Sequence, residues 1–361
     1  YPLLSRDKAM LVGQPFHLVI LDEAQWIKNA QPQPANVVRT LDARHRLCLT
    51  GTPLENHLGE LWSLFHFLMP GFLGEATQFR RVYRTPIEKQ GNTQRRESLE
   101  RRIRPFLLRR TKEQVARELP AKTEIIHPVE LGGPQREFYE TVRVAMDERV
   151  QQELENRGAA QSQIIVLDAL LKLRQVCCDP RLVKMDIVQP VVESAKLAAL
   201  MEMLDALLSE GRKVLLFSQF TEMLELIEAE LRKTGAKWVK LTGATRDREA
   251  PINAFQSGEV PLFLISLKAG GTGLNLTAAD TVIHYDPWWN PAVERQATDR
   301  AHRIGQDKPV FVYKLIVAGS VEEKIAQLQA EKAALAEAIL GEPGRGGGAL
   351  TAEDIAALFE P

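Results

Sequence analysis

From residue 191 to about residue 340 the sequence alternates short apolar runs with amphipathic segments of helical period, and this alternation restricts the fold more than any other feature. The runs are KVLLFSQF at 213–220, WVKLTG at 238–243, PLFLISL at 261–267, TVIHYD at 281–286 and VFVYKLIV at 310–317. Between them lie helical patterns such as TEMLELIEAELRKTG at 221–235, a helix running to 255, another from 291, and a last one from 320. Each run is too short for a helix and too continuously apolar for a strand with one wet face. Such alternation builds a parallel sheet covered on both faces by right-handed crossovers. Residues 191–340 are therefore expected to form one complete α/β lobe.

The first residues carry a shorter version of the same pattern. FHLVILDEAQ at 16–25 and RLCLTGTP at 46–53 are apolar runs that end in polar or glycine residues. Ligands of open α/β sheets sit beyond the carboxyl ends of the strands, so these polar ends are placed for chemistry. Residues 1–53 thus read as part of a first α/β lobe. Residues 54–115 turn helical, with LGELWSLFHFLMPGFLG stopped by Pro70-Gly71. Residues 116–130 read as a connection between lobes. A second helical insertion spans 131–190, through QREFYETVRVAMDERVQQEL and VLDALLKLRQVCC. Residues 341–361 combine a flexible linker, GEPGRGGG, with a short tail helix that Thr351 is placed to cap.

Composition narrows the class. The chain is 45% hydrophobic and 26% charged, ordinary for a globular protein, and no run is long enough to cross a membrane. With no signal-peptide pattern either, the expected location is cytoplasmic, nucleoid-associated if the source is bacterial; a monomer is expected. Lys plus Arg number 46 against 47 Asp plus Glu, so any polyanion site must come from local clustering. One such cluster exists: residues 80–112 hold 12 Lys or Arg against 3 Glu. It is either a solvated face or a surface that follows phosphates. Cys48, Cys177 and Cys178 lack metal-ligand spacing, which points to packed thiols in a reducing compartment and to no zinc.

The densest chemistry lies at 261–306. There an apolar run, the glycine-rich turn KAGGTGLNL, a second run ending in Asp286 and a helix expected to carry Gln296, Arg300 and Arg303 on one face follow one another. Glycines after a strand let backbone N–H groups approach a phosphate, although the same turn also suits a loop without a ligand. Arginines spaced three apart project toward one developing charge or serve as surface ion-pair partners. Near the start, Asp22 and Glu23 follow LVIL directly. A carboxylate there can hold Mg²⁺ through water while its neighbour polarises an attacking water; acidic pairs in that position also occur as plain turn residues.

DEAQ at 22–25 followed by LTGTPLEN at 49–56 is the ordered motif pair of superfamily-two helicase-like ATPases, and the chain resembles the Swi/Snf family in particular. LLRRTK at 107–112, LPAK at 119–122, LKLRQVCCDPRLV at 171–183, VLLFSQF at 214–220 and QATDRAHRIGQ at 296–306 extend the likeness over residues 1–340. The resemblance implies an α/β fold of two RecA-like lobes with helical insertions, ATP and Mg²⁺ as cofactors, and double-stranded DNA as partner. Carried over by position, it implies Asp22 as the Mg²⁺ residue, Glu23 as the catalytic carboxylate, and Arg300 and Arg303 as arginine fingers that reach the γ-phosphate from the opposite lobe. Gln25, Thr50, Gly51, Thr52 and Gln296 would couple nucleotide state to lobe position. Lys268, Gly270, Gly271, Thr272 and Trp289 would contact DNA.

A phosphate clamp of the form G-x-x-x-x-G-K-[ST] is missing, since no Gly-Lys dipeptide occurs in the 361 residues. The opening YPLLSRD resembles the end of a motif that follows the clamp, so the expectation is a truncated first lobe that does not hydrolyse ATP alone. The expected whole is a double-stranded-DNA translocase, with a strand-separating helicase or a non-hydrolytic DNA- or protein-binding module as alternatives. A protein complex such as RNA polymerase is an open partner.

Overall fold

The computed structural model describes residues 1–327 except 2, 29–32, 52–56, 111, 158–162, 185–192, 271–272 and 289–290. The 341–361 linker and tail, Thr52, Gly271, Thr272 and Trp289 thus lie outside the described residues. The chain forms two compact units, built chiefly from Tyr1–Arg109 and Arg110–Gln329. Both carry parallel sheet with helices, as the alternation demands. Among the described residues no helix is long and apolar enough to cross a membrane.

In the first unit, β1 (Phe16–Leu21) and β2 (Ala43–Cys48) pair in parallel, with Leu21 opposite Cys48. Helix Leu58–Leu68 is apolar nearly all round, and it uses that to join two cores. Leu64 and Phe67 pack with Leu21, Ala24, Ile27 and Val38 beneath the strands. Leu61, Trp62 and Phe65 pack with Phe79, Tyr83, Ile87, Leu99 and Ile103 of the following helices. The helix stops at Leu68, and Gly71 takes a φ of +83°, a left-handed turn that glycine adopts without a Cβ clash.

The second unit holds six parallel strands in the order β3 (Lys122–Val129), β8 (Val310–Val317), β7 (Thr281–His284), β4 (Val214–Ser218), β6 (Leu262–Ser266), β5 (Trp238–Leu241). Every residue of β4, β6 and β7 is buried. Alternate side chains enter opposite faces, as the pleat requires. Val214, Leu216, Leu262, Leu264 and Ile283 face one core, while Leu215, Phe217, Phe263, Ile265 and Val282 face the other. At about 1.5–3 kcal/mol per buried large apolar side chain, these central strands dominate the unit's stability.

One element departs from expectation. Residues 116–130 are not a plain connection, because 122–129 add an edge strand along β8. Its sequence, KTEIIHPV, hides the strand: only Val129 is buried and Pro128 removes a ladder donor, both tolerated at an edge. Within residues 131–190, helices Gly133–Arg157 and Gln163–Cys178 pack on each other.

Among the described residues, two ion pairs with both partners buried bind helices to this sheet. Lys196 bonds to Glu322, both fully buried, and also donates to the carbonyls of Tyr285 and Leu315 at 3.2 Å. Burial works against the Lys196 charge, but the Glu322 carboxylate prevails and holds its pKa above the ordinary value. The other pair, Arg174 and Asp286, belongs to the site below. Cys177 and Cys178 are free thiols whose pKa burial pushes up, which makes them packing residues rather than nucleophiles.

Candidate functional site

In the first unit the carboxyl ends of β1 and β2 are stitched together. The Leu49 amide donates to the Leu21 carbonyl at 2.8 Å and the Ala24 amide to the Leu49 carbonyl at 2.9 Å. The chain between them therefore reverses within two residues. Glu23 takes up the reversal with a φ of +48°, and among the described residues it is the one non-glycine with positive φ. A left-handed backbone costs an L-residue about 1–2 kcal/mol, so this glutamate occupies a place that stability alone would give to glycine or asparagine.

The side chains around it form a directed chain. Thr50 donates its hydroxyl to Gln25 Oε1 at 2.7 Å, and Gln25 Nε2 donates to Glu23 Oε2 at 2.6 Å. The Glu23 amide donates to Asp22 Oδ1 at 2.9 Å. Asp22, Glu23, Gln25 and Thr50, four of the residues singled out from sequence, thus meet at one strand end. Gly51 is exposed nearby, and among the described residues no atom beyond its chain neighbours lies within 4 Å of where a Cβ would stand.

Sequence reasoning missed the supports of this loop. Tyr1 stacks on Trp26 with 6.0 Å between ring centroids and donates its hydroxyl to the Asp22 carbonyl at 2.7 Å. Burial, with the Cys48, Asp22 and Glu23 charges, raises its pKa to about 12 and keeps it a donor. From the other side, Ser63 donates to the Ile27 carbonyl at 2.6 Å and accepts from Arg39 at 2.6 Å, while buried Glu60 meets Lys28 at 3.7 Å. The only sequence signal for these was a serine and a glutamate inside an otherwise apolar helix.

In the second unit the ends of β4 and β7 are joined by Asp286. Its carboxylate accepts from the Ser218 hydroxyl at 2.5 Å and from the Gln219 amide at 3.2 Å. Arg174, from helix Gln163–Cys178, lies 3.8 Å from the same carboxylate and donates to the Pro287 carbonyl. Its guanidinium also sits 5.9 Å from the rings of Phe220 and Trp288. Burial is the main influence on Asp286 and raises its pKa to about 6, against the pull of Arg174 and the Ser218 bond.

The glycine-rich turn differs from expectation. Residues Leu267–Gly270 are a short helix, with Lys268 exposed but Gly270 buried. A Cβ on Gly270 would meet Phe217 Cε1 at 2.9 Å, so the core requires glycine there.

The arginine helix is also shorter than expected. It spans Pro291–Thr298, so it carries Gln296 but neither Arg300 nor Arg303. The Arg300 carbonyl, which would continue the helix, instead accepts the Leu276 amide at 3.0 Å. Arg300 is buried, with Nη1 3.4 Å from the Leu274 carbonyl, whereas Arg303 is exposed. The two therefore share a turn rather than a helix face. Gln306 organises that turn: its amide nitrogen lies 2.7–3.1 Å from the carbonyls of Thr277, Ala279 and Ala301, and its oxygen accepts the amides of Asp307 and Lys308.

In the basic insertion, Arg80, Arg81, Lys89, Arg95 and Arg104 are exposed, while Arg84 pairs with Glu88 at 3.0 Å and Arg96 with Glu100 at 3.5 Å.

The sequence matches the SNF2-related domain over residues 1–182 and the helicase conserved C-terminal domain over residues 195–305. YwqA of Bacillus subtilis (strain 168), whose name groups it with ATP-dependent helicases and translocases, is 40% identical over 348 residues. That alignment covers 94% of this chain and 37% of YwqA. The TATA-binding protein-associated factor MOT1 of Saccharomyces cerevisiae is 33% identical, over all of this chain and 22% of its own length. The Sulfolobus solfataricus SWI2/SNF2 ATPase core in complex with dsDNA aligns with a TM-score of 0.50 at 37% identity, covering 92% of this chain and 70% of that one. The chain spans about a third of the length of the curated relatives it matches first, 37%, 34% and 34%.

Proposed function

The chain belongs to the SNF2-related family, and on that premise we propose that it serves a DNA-dependent ATPase that translocates along double-stranded DNA. The observation that carries this is the meeting of Asp22, Glu23, Gln25 and Thr50 at the carboxyl ends of two parallel strands, with Glu23 held in a left-handed backbone. Strain kept at an acidic residue, where a glycine would relieve it, is the signature of a position selected for its side chain.

Asp22 suits a magnesium ion held through water. It is one exposed carboxylate at a strand end, and among the described residues no group of three or more His, Cys, Asp or Glu forms a direct cage. Mg²⁺ keeps most of its water and takes only one or two carboxylates, and when bound it neutralises charge on phosphate oxygens. Glu23 orients the attacking water and accepts its proton, while Gln25 fixes which way the carboxylate points. Thr50 links that orientation to the end of β2, and Gly51, Thr52 and Gln296 are assigned to the same coupling by family position. Arg303, the exposed guanidinium, stabilises charge developing on the γ-phosphoryl group, and buried Arg300 braces the turn beneath it. Lys268, Gly271, Thr272, Trp289 and the exposed arginines of 80–104 meet DNA through its backbone, so binding is independent of sequence and weakens steeply with salt.

The test uses the protein at its full natural length. Duplex DNA should stimulate ATP hydrolysis more than single strands do, Glu23→Gln should abolish it, and ATP should drive displacement of a third strand from a triplex. Efficient unwinding of a forked duplex without triplex displacement would replace this reading with that of a strand-separating helicase.

A further inference from the structure

The turn that carries Arg300 and Arg303 is fastened from inside by Leu276 and Gln306, and it is also fastened from outside. Lys112 donates from Nζ to Asp299 Oδ1 at 2.6 Å and to the His302 carbonyl at 2.6 Å. His302 Nε2 lies 2.9 Å from the carbonyl of Pro120; a carbonyl can only accept, so this nitrogen carries the proton. Both ends of the stretch 112–120 are thereby tied to the same four residues, 299–302. This stretch is also the chain's route out of the first unit, just before β3.

Energetics argue that these contacts are there for position. Lys112 and Asp299 keep 37% and 45% of their side-chain surface in water, and pairs so exposed contribute little to folding. What two bonds from one ammonium do achieve is to fix the distance between a side-chain oxygen at 299 and a main-chain oxygen at 302. Arg303, exposed and next in the chain, has its own carbonyl bonded to the Gln306 amide at 2.9 Å and its amide bonded to the Ala301 carbonyl at 3.1 Å. With the backbone on each side held, moving 112–120 moves Arg303.

We propose that Lys112 is a positioning residue for Arg303: through Asp299 and His302 it transmits the placement of the segment leaving the first unit to the guanidinium that acts on the phosphoryl group. The proposal rests on the ATPase reading above. It makes the connecting segment part of the apparatus that holds the Arg303 turn in place.

The experiment compares Lys112→Met, Asp299→Asn, the double variant and Lys112→Arg in the full-length protein. It measures kcat and KM for ATP at saturating duplex DNA, duplex Kd, and amide hydrogen exchange over residues 299–306. Lys112→Met should lower kcat by about tenfold while KM and Kd stay within about twofold, the pattern of a lost transition-state interaction. The double variant should be no worse than the poorer single one, because both remove the same fastening. Lys112→Arg should keep most of the activity, and exchange over 299–306 should quicken in Lys112→Met and in the double variant. Unchanged kcat in Lys112→Met, losses that multiply in the double variant, or a loss confined to duplex Kd would overturn the proposal. If the unaltered protein shows no DNA-stimulated hydrolysis, the ATPase reading fails by itself. Hydrogen exchange still decides the fastening in that case, and unchanged exchange in Lys112→Met refutes it.

Discussion

Replacing Glu23 by glycine and by alanine separates strain from chemistry. Both changes remove the carboxylate and its 2.6 Å bond from Gln25, a loss of about 1 kcal/mol that is the same in each. They differ only in the backbone. At φ +48° alanine keeps a left-handed penalty of about 1–2 kcal/mol that glycine does not have. Glycine in turn gives up about 0.5–1 kcal/mol through the greater freedom of its unfolded chain. The difference predicts that Glu23→Gly is more stable than Glu23→Ala by about 0.5–1 kcal/mol, the reverse of the usual order of these residues. With a urea dependence of about 1–3 kcal/mol per molar, the glycine variant should unfold about 0.2–1 M later. Because the two units need not unfold together, the midpoint should be read by hydrogen exchange on peptides covering 16–48. Neither variant should hydrolyse ATP. If alanine proved as stable as glycine, the left-handed glutamate would carry no strain, and the argument that function holds it there would collapse.

Gly270→Ala should destabilise the second unit by about 1–3 kcal/mol, since its Cβ would stand 2.9 Å from fully buried Phe217; a urea midpoint unchanged from wild type would contradict the packing role. Lys196→Met should lower stability by about 3–5 kcal/mol by leaving Glu322 buried without its cation, and adding Glu322→Leu should recover most of that loss. Acid titration of stability should show two opposing slopes. His284 is buried beside Phe217, and burial lowers its pKa from 6.5 to about 4, so its contribution is present above pH 6.5 and is lost as pH falls toward 4. Asp286 is raised from 3.8 to about 6, so its ionisation penalty is absent at low pH and grows as pH rises through that window. Each is worth up to about 3 kcal/mol, and Asp286→Asn should therefore leave a stability that rises steeply between about pH 4 and about pH 6.5. A flatter profile than wild type would reverse the assignment.

The parallel sheet of the second unit was legible because its central strands are apolar on both faces. Every run from 214 to 317 became a strand, since no other element buries VLLF or LFLI so fully. β3 was illegible for the complementary reason, being an edge strand whose partner β8 lies nearly two hundred residues away and whose own residues stay mostly exposed. The strand-end cluster of Asp22, Glu23, Gln25 and Thr50 was also legible, because short-range order along β1 and β2 puts polar residues where parallel strands end.

The arginine turn was the hardest part to read, and the cause is physical. Helical spacing from 296 to 303 is a local signal, whereas what ends that helix is a set of long-range hydrogen bonds. The Leu276 amide takes the Arg300 carbonyl, Gln306 gathers carbonyls from 277, 279 and 301, and Lys112 reaches across from 187 residues earlier. Each bond is worth only about 1 kcal/mol, but a helix end has spare carbonyls to offer and loses little by bending to meet them. The outcome is a division that spacing could not foresee. The arginine whose carbonyl is captured is drawn into the core, and the one three residues on is left in water with its backbone held from both sides.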